Sequence, residues 1–277
     1  MPSRRALLRT ITLGTVATAG CAGLADPLGD AGGEPTRSVG ERFETDDGRA
    51  VRVSQAVVRP SVVTVEAISH HRYERVTDAG DGQYVMFLVT ATGFEPGPGG
   101  WEHSQEPIDL PLSVETDDTR HREVVPVGFD ERADLDRVAI RVPLVDVPAA
   151  HVVWERDDGP QPRWRLPDDT VELLASRPEF EIERFDVPER VEPEETFAVA
   201  VDVKNGGDRP GRFLATLGAK RGSLDVPESS VPVDFDATAT LQAPITASGD
   251  GDWPIRVVLD WGAGRREHTV AVEDDGG

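Results

Sequence analysis

The six histidines are the residues best suited to bind a metal ion or move a proton, but their spacing fits neither role. His70 and His71 are adjacent, so on a strand they point to opposite faces and cannot share one ion without a turn. The other four are isolated in the sequence: His103, His121, His151 and His268. Metal sites use ligands at short, recurring spacings. We therefore predict surface or turn histidines and no metal site.

Paired carboxylates are the second group that could act as acids, bases or ligands. Asp-Asp pairs begin at residues 46, 117, 157, 168 and 274. Each pair lies in a predicted turn, where Asp side chains stabilise the backbone and face solvent. Calcium is an alternative near "DAGDGQ", where Asp78 and Asp81 flank a glycine. This segment lacks the alternating D-x-D-x-D-G ligands of calcium loops, so turn chemistry is the favoured interpretation.

The glycine-rich segment "GFEPGPGGW" is the nearest approach to a phosphate-binding loop. Its two prolines have no N–H to donate, and it contains no lysine, so it does not fit a phosphate cradle. Its length still makes it the candidate binding loop, with Gly93, Phe94, Gly97, Gly100 and Trp101 as its candidate residues. Serine hydrolase, P-loop, dinucleotide and HExxH patterns are absent from the sequence. We predict no catalytic residues, no enzyme activity and no cofactor.

The only cysteine, Cys21, follows a basic start, a short apolar stretch and small residues. This is the layout of an export signal over residues 1–20, and its apolar part is too short to span a bilayer. The stretch "SRRALLR" resembles the twin-arginine export motif, with Arg4 and Arg5 as the pair. "TAGC" resembles a lipoprotein box, which implies that the Cys21 thiol carries a diacylglycerol. These resemblances imply a protein anchored by lipid at the extracellular face of the cell membrane, with residues 21–39 as a flexible linker.

Acidic residues dominate the composition, with 51 Asp and Glu against 29 Lys and Arg and a formal charge of −22. Such a charge repels nucleic acid and anionic surfaces, so we exclude nucleic acid and expect membrane contact only through the lipid. Lys204 and Lys220 are the only lysines. This acidic, lysine-poor composition resembles that of proteins from salt-loving archaea, in which salt screens the self-repulsion.

Alternation with a period of two predicts an all-β fold from residue 50 onward. In "FAVAVDVK", the side chains of Phe197, Val199, Val201 and Val203 share one face of a strand. About seven short strands in the last 95 or so residues predict an immunoglobulin-like sandwich over 178–277. "WPIRVVLDW" alternates in the same way, which makes Trp253 and Trp261 candidate core residues. Residues 179–273 resemble adhesion-type (CARDB-like) domains, with Asn205, Gly206 and Gly207 in the connecting turn.

The first module, over 40–177, is also rich in predicted strands. Tyr84 to Ala91 is apolar on both faces, which indicates a central strand. "PDDTVELLASRP" interrupts the alternation, and we expect Asp168 or Asp169 to cap a short helix that ends before Pro178. Residues 40–165 resemble extracellular β-sandwich domains of unassigned function. The prediction is thus two tandem immunoglobulin-like antiparallel β-sandwiches behind a signal peptide and a tether.

Three functional hypotheses follow. The first is a lipid-anchored surface protein whose loops contact an envelope protein or glycan, or that acts as an envelope spacer. The second is an accessory small-solute or metal-binding lipoprotein of a transport system, which would use a pocket with convergent polar groups. The third is an envelope hydrolase built from residues dispersed along the chain.

Overall fold

The protein folds almost entirely into β-strands, as its alternating sequence predicts. The computed structural model describes residues 35–68, 71–94, 110–127, 136–220, 228–247 and 254–273. Within these ranges there are twenty strands, one short α-helix and one turn of 3₁₀-helix. The predicted all-β class is confirmed.

The first twelve strands run along residues 36–165. Their bounds are β1 Thr36–Ser38, β2 Arg42–Glu44, β3 Ala50–Arg59, β4 Ser61–Ile68, β5 His71–Asp78, β6 Gly82–Thr92, β7 Leu112–Thr116, β8 Thr119–His121, β9 Val124–Pro126, β10 Asp136–Pro143, β11 Ala150–Trp154 and β12 Arg163–Arg165. The helix α1 Asp168–Glu172 and the 3₁₀ turn Leu173–Ala175 follow. The last eight strands are β13 Phe180–Asp186, β14 Arg190–Val191, β15 Thr196–Asn205, β16 Gly211–Lys220, β17 Glu228–Val233, β18 Thr238–Thr246, β19 Ile255–Asp260 and β20 Arg265–Val272.

Two five-stranded sheets pack face to face in the N-terminal half. Their strand orders are β1-β12-β11-β7-β8 and β2-β3-β6-β10-β9. The hydrophobic cluster between them draws on both sheets, with Val53 and Phe87 from one and Val114 and Trp164 from the other. Strand β6 lies at the centre of its sheet, between β3 and β10. The prediction of a central strand from Tyr84 to Ala91 is confirmed.

A hairpin of β4 and β5 covers the outer face of the β6 sheet. The two strands pair with each other as a separate sheet, and Thr64 of β4 also forms an isolated antiparallel bridge to Val127. Val62 of β4 joins Tyr84 of β6 and Ala139 of β10 in a small second cluster on that face. Both faces of β6 are therefore covered, which explains why its sequence is apolar on both faces.

The C-terminal half also has two facing sheets, ordered β13-β15-β18 and β14-β20-β19-β16-β17. Their shared core contains the four alternate residues of β15 that the sequence predicts, Phe197, Val199, Val201 and Val203. Ile255, Val257 and Leu259 of β19 lie in the same core. Trp261 is half-buried at its edge, and Trp253 lies outside the described residues.

Several short elements differ from the sequence-based prediction. Strand β1 lies inside the predicted flexible linker 21–39, because Thr36–Ser38 pair in parallel with β12 at the edge of a sheet. Pro167, rather than Asp168 or Asp169, is the N-cap residue of α1, and no side chain caps the helix. Asp168 instead accepts a hydrogen bond of 2.9 Å from Arg165. Such local competition between partners is not visible in a sequence pattern.

Residues 34–277 form one compact unit by their backbone contacts. The two cores are separate within it, and the segment from Ser176 to Glu179 links α1 and its 3₁₀ turn to β13. The division of the folded part into domains at residue 177 stays a prediction.

Candidate functional site

The predicted binding loop leaves the N-terminal sheets at Gly93, just after β6. Gly93 has a φ of 80°, in the left-handed region that favours glycine. A Cβ atom at this position would lie 2.6 Å from the carbonyl oxygen of Gly48. The chain can therefore leave the sheet against the 45–49 turn only because residue 93 has no side chain.

Phe94 anchors the start of this loop to the core. Its ring centre lies 5.7 Å from that of Trp154, whose side chain is almost fully buried. The guanidinium carbon of Arg49 lies over the Phe94 ring, 5.9 Å from its centre, which is within the range of a cation–π contact. Phe94 thus has a packing role at the base of the loop.

Two carboxylates hold Arg49 in place at the same edge. Its Nε lies 2.7 Å from Asp47 Oδ2, and its second terminal nitrogen lies 3.0 Å from Asp158 Oδ2. The hydrogen bond from Arg49 lowers the pKa of the Asp158 carboxyl. Arg156 also contacts Asp158 at 3.4 Å and lies 5.1 Å from the Trp154 ring centre. The loop base is thus a fixed aromatic and charged surface.

The remaining predicted site residues lie outside the described ranges. Arg4, Arg5 and Cys21 precede residue 35, and Gly97, Gly100 and Trp101 fall between 94 and 110. The export signal, the lipid attachment and the binding role of the loop stay predictions. Across the part of the chain that the structure describes, no helix is long and apolar enough to cross a bilayer.

The four described histidines lie on different strands and not in turns: His71 on β5, His121 on β8, His151 on β11 and His268 on β20. His121, His151 and His268 are half-buried, whereas His70 and His103 lie outside the described residues. The Nε2 of His121 lies 2.8 Å from Thr116 Oγ1, and burial lowers the pKa of His121. Burial, helped by the charge of Arg163, lowers the pKa of His151. Within the described ranges no group of three His, Cys, Asp or Glu residues is placed to hold a metal ion.

The carboxylates considered for calcium are engaged by arginines. Asp78 Oδ2 lies 3.2 Å from a terminal nitrogen of Arg177, and Asp78 Oδ1 accepts a hydrogen bond from the Gly80 N–H. Asp81 forms an ion pair of 2.5 Å with Arg141. Both carboxylates therefore already have cationic partners.

A row of arginines at the junction of the two cores is the feature that the sequence interpretation missed. Arg59 ends β3, Arg177 lies in the linking segment, Arg209 lies in the turn after β15, and Arg212 belongs to β16. Burial lowers the pKa of Arg209, and the charges of Arg59 and Arg177 lower it further. These side chains therefore lie close enough to repel one another.

Hydrogen bonds across the junction fix part of this row. Arg209 donates from Nε to the Ser176 carbonyl at 2.9 Å and from a terminal nitrogen to Gln83 Oε1 at 3.1 Å. Gln83 is fully buried, and its amide donates to the Leu173 carbonyl at 2.8 Å. Arg177 donates to the Gly82 carbonyl at 3.1 Å, in addition to its pair with Asp78. These bonds tie the first two residues of β6 to the 3₁₀ turn, to the linking segment and to the turn after β15.

The sequence did carry one signal for this junction. The dipeptide Arg-Pro occurs three times in the chain, at residues 59, 177 and 209, and all three arginines belong to the row. A residue before proline favours extended backbone, so each of these arginines is held at the end of an element or in a link.

A cavity of about 280 Å³ opens beside Arg59. Its polar lining consists of Arg59, Arg137, Arg212, Ser61 and Glu228. The apolar part of its wall includes Met86 from β6 and Leu214 from β16. The cavity is thus formed jointly by strands that carry the two cores, and its lining has more positive than negative side chains.

Comparisons with known proteins do not assign this chain to a family. No protein-family model matches the sequence, and no curated protein matches it. A solved β-glucosidase from Listeria innocua in complex with glucose aligns over 35% of this chain and 16% of its own, with 14% identity and a TM-score of 0.29. A chimeric titin Z1Z2-Z1Z2 tandem aligns over 71% of this chain and 93% of its own, with 13% identity and a TM-score of 0.21. A protein of unknown function from Porphyromonas gingivalis W83 aligns over 80% and 99%, with 13% identity and a TM-score of 0.20. Similarity at these scores carries no argument about function.

Proposed function

We propose that this chain is a lipid-anchored protein at the extracellular face of the cell membrane that contacts an envelope protein or glycan through the loop after β6. The proposal combines the lipidation of Cys21, the export signal at Arg4 and Arg5, and the loop residues Gly93, Phe94, Gly97, Gly100 and Trp101. It assigns no cofactor and no enzyme activity to the chain.

The observation that carries the binding role is the anchored base of that loop. The connection from Gly93 to Pro111 is the longest between two consecutive described strands, and connections of this length are commonly functional. Phe94 and Arg49 hold its start against Trp154, so a fixed scaffold presents it. Loops positioned in this way by rigid sheets are typical binding elements.

The strand orders support two tandem immunoglobulin-like domains as part of this proposal. In the C-terminal half, the first, second and fifth long strands, β13, β15 and β18, form one sheet. Strands β16, β19 and β20 form the middle of the facing sheet, which is the division expected for this architecture. In both halves a short early strand pairs in parallel with the last strand, β1 with β12 and β14 with β20.

The small-solute receptor is a second candidate, and one observation favours it. The lining of the cavity beside Arg59 combines polar and apolar side chains, as that of small-molecule sites does. A receptor of this kind would bind its solute between the two cores and not at the loop.

The anchor can be tested with the intact mass of the protein purified from membranes. We expect a chain that starts at Cys21 and carries the added mass of a lipid. The Cys21→Ser variant should lose the lipid and leave the membrane fraction. An unmodified chain that starts elsewhere would contradict the anchor.

The binding role can be tested by cross-linking on intact cells at native salt. We expect one reproducible envelope component to be recovered with the wild type and lost with Trp101→Ala. Phe235→Ala is the control, because Phe235 is a surface aromatic, 59% exposed, in a different turn. Recovery of the lipidated chain alone would favour a spacer role or a small ligand.

A further inference from the structure

We propose that the cavity beside Arg59 is a binding site for the carboxylate group of a small organic acid, with Arg59 and Arg212 as the cationic residues that recognise it. This inference goes beyond the proposed surface function. It assigns a ligand class to residues away from the loop after β6, and it holds whether or not the chain carries a lipid.

Arg59 differs from its neighbours in the row in having no polar partner for its guanidinium among the described residues. Arg177 has the Asp78 carboxylate, and Arg209 has a backbone carbonyl and the Gln83 amide oxygen. Arg212 donates to the Ser230 hydroxyl at 3.1 Å. The backbone of Arg59 pairs with Tyr84 of β6, but its guanidinium forms no hydrogen bond or ion pair with any residue in the described ranges.

The charge of Arg59 raises the free energy of the folded state. Arg59 is half-buried, and its burial together with the charge of Arg212 lowers its pKa. A partly desolvated cation that faces another cation destabilises the fold unless an anion compensates it. The chain has 51 acidic residues and uses them to pair arginines such as Arg49, Arg141 and Arg177 elsewhere. Glu228 is the one acidic residue among the described lining of the cavity, and it forms no ion pair with Arg59, so an anion that enters the cavity would compensate Arg59.

The lining of the cavity indicates the kind of anion that would bind there. A guanidinium binds a carboxylate through two parallel hydrogen bonds, which gives both strength and orientation. The Met86 and Leu214 side chains offer an apolar surface beside the arginines, and Ser61 adds a hydroxyl. An inorganic anion would leave that apolar surface unused. A cavity of about 280 Å³ therefore fits a small organic acid with a compact body.

The direct test is calorimetric titration of the purified full-length protein in about 2 M KCl, where nonspecific charge effects are screened. Two acids serve as probes, 3-methylbutanoate and glucuronate, each compared with its neutral counterpart, 3-methylbutanamide and glucose. We expect one acid to bind at least about tenfold more tightly than its counterpart, as expected for a charge-assisted contact of about 1.4 kcal/mol or more. Binding of 3-methylbutanoate indicates a free aliphatic acid, and binding of glucuronate indicates an acidic sugar.

Arg59→Gln should weaken that binding at least about tenfold. Arg122→Gln is the matched control, because it removes the same charge from an exposed arginine that pairs with Glu155 at 2.9 Å. We expect this control to bind like the wild type. Equal binding by wild type and Arg59→Gln, or no preference for either acid over its neutral counterpart, would overturn the proposal.

Thermal unfolding without ligand separates a binding role from a structural one. If Arg59 is held unpaired for a ligand, Arg59→Gln should unfold at the same temperature as the wild type or higher. Arg122→Gln should not gain stability, because it loses an ion pair. A clear fall in the unfolding temperature of Arg59→Gln would show that Arg59 stabilises the fold, and would overturn the proposal.

Discussion

At the scale of single residues, the Asn205 side chain organises the turn between β15 and β16. Its Oδ1 accepts hydrogen bonds of 3.1 Å from the N–H groups of Glu179 and Gly207, and its Nδ2 donates to the Arg209 carbonyl at 2.8 Å. The side chain is fully buried, so these groups have no access to water. The turn that the sequence suggested from "NGG" is therefore also the attachment point of the segment that links the two cores.

The glycine pair beside Asn205 gives a matched prediction. A Cβ at residue 207 would lie 2.4 Å from the Glu179 nitrogen and 2.5 Å from the Arg177 oxygen, whereas a Cβ at residue 206 would have nothing within 4 Å. We expect Gly207→Ala to lower the free energy of unfolding by about 1 to 3 kcal/mol, because the linking segment must shift. Gly206→Ala should change it by no more than about 0.5 kcal/mol. Urea unfolding at constant salt measures both, and equal effects would contradict the close approach.

Two of the half-buried histidines, His121 and His151, predict a dependence of stability on pH. The pKa values of His121 and His151 are lowered from 6.5 in the folded state, so the unfolded chain takes up protons first as the pH falls. Stability should therefore fall as the pH decreases below about 6.5. The pKa of Asp202 is lowered from 3.8 and so lies below the pH range in which the histidines titrate. Asp202 therefore does not contribute to this loss of stability.

Thermal unfolding between about pH 7.5 and 5.5 tests this dependence. We expect the wild type to lose stability over that range and the double variant His121→Gln/His151→Gln to lose less. An unchanged pH profile in the double variant would show that other groups are responsible.

At the scale of elements, the central position of β6 makes its buried residues sensitive to substitution. Phe87 of β6 is 1% exposed and lies in the N-terminal core, whereas Phe235 lies at the surface. We expect Phe87→Ala to lower the free energy of unfolding by about 3 to 5 kcal/mol, through lost burial and a cavity. Phe235→Ala should have an effect within about 0.5 kcal/mol. Similar losses in both variants, measured by denaturant unfolding, would contradict this placement of β6.

The hairpin of β4 and β5 covers the second face of β6. Its second strand, β5, could not be predicted from hydrophobic alternation. Strand β4 reads "SVVTVEAI" and is rich in β-branched residues, but β5 reads "HRYERVTD", in which charged residues dominate. Its partner is β4, and its last residues lie against the turn after β19, where a Cβ on Gly262 would be 2.7 Å from the Asp78 nitrogen. Pairing and tertiary contact, not hydrophobic alternation, determine this strand.

At the scale of the whole molecule, the charge of −22 predicts stabilisation by salt. Many ion pairs neutralise charges locally, but acidic residues outnumber basic ones, so net repulsion remains in the folded state. Raising KCl from about 0.1 to 3 M shortens the Debye length from about 10 Å to below 3 Å. We expect the unfolding temperature to rise by several degrees or more over this range.

A neutral osmolyte at the same osmolality is the control for this effect. It should give a smaller increase than KCl, because it does not screen charge. An unfolding temperature that is insensitive to KCl would contradict both the repulsion argument and the resemblance in composition to proteins of salt-loving archaea.

Features that depend on local periodicity can be predicted from the amino-acid sequence alone. The alternation in β15 predicted which side chains enter the core, and the two-sided apolar run of β6 predicted a central strand. The sequence also placed a short helical segment before Pro178. These predictions succeed because burial imposes a period of two on a half-exposed strand and removes it from a strand covered on both faces.

Only the tertiary structure decided which distant residues meet. Arg59, Arg177 and Arg209 are far apart in the chain, and their convergence depends on how β3, the linking segment and the β15–β16 turn pack together. The same holds for Phe94, which the sequence offered as a binding residue and the structure places against Trp154. Side-chain neighbours across a β-fold are set by long-range strand order, and hydrophobic periodicity carries no information about that order.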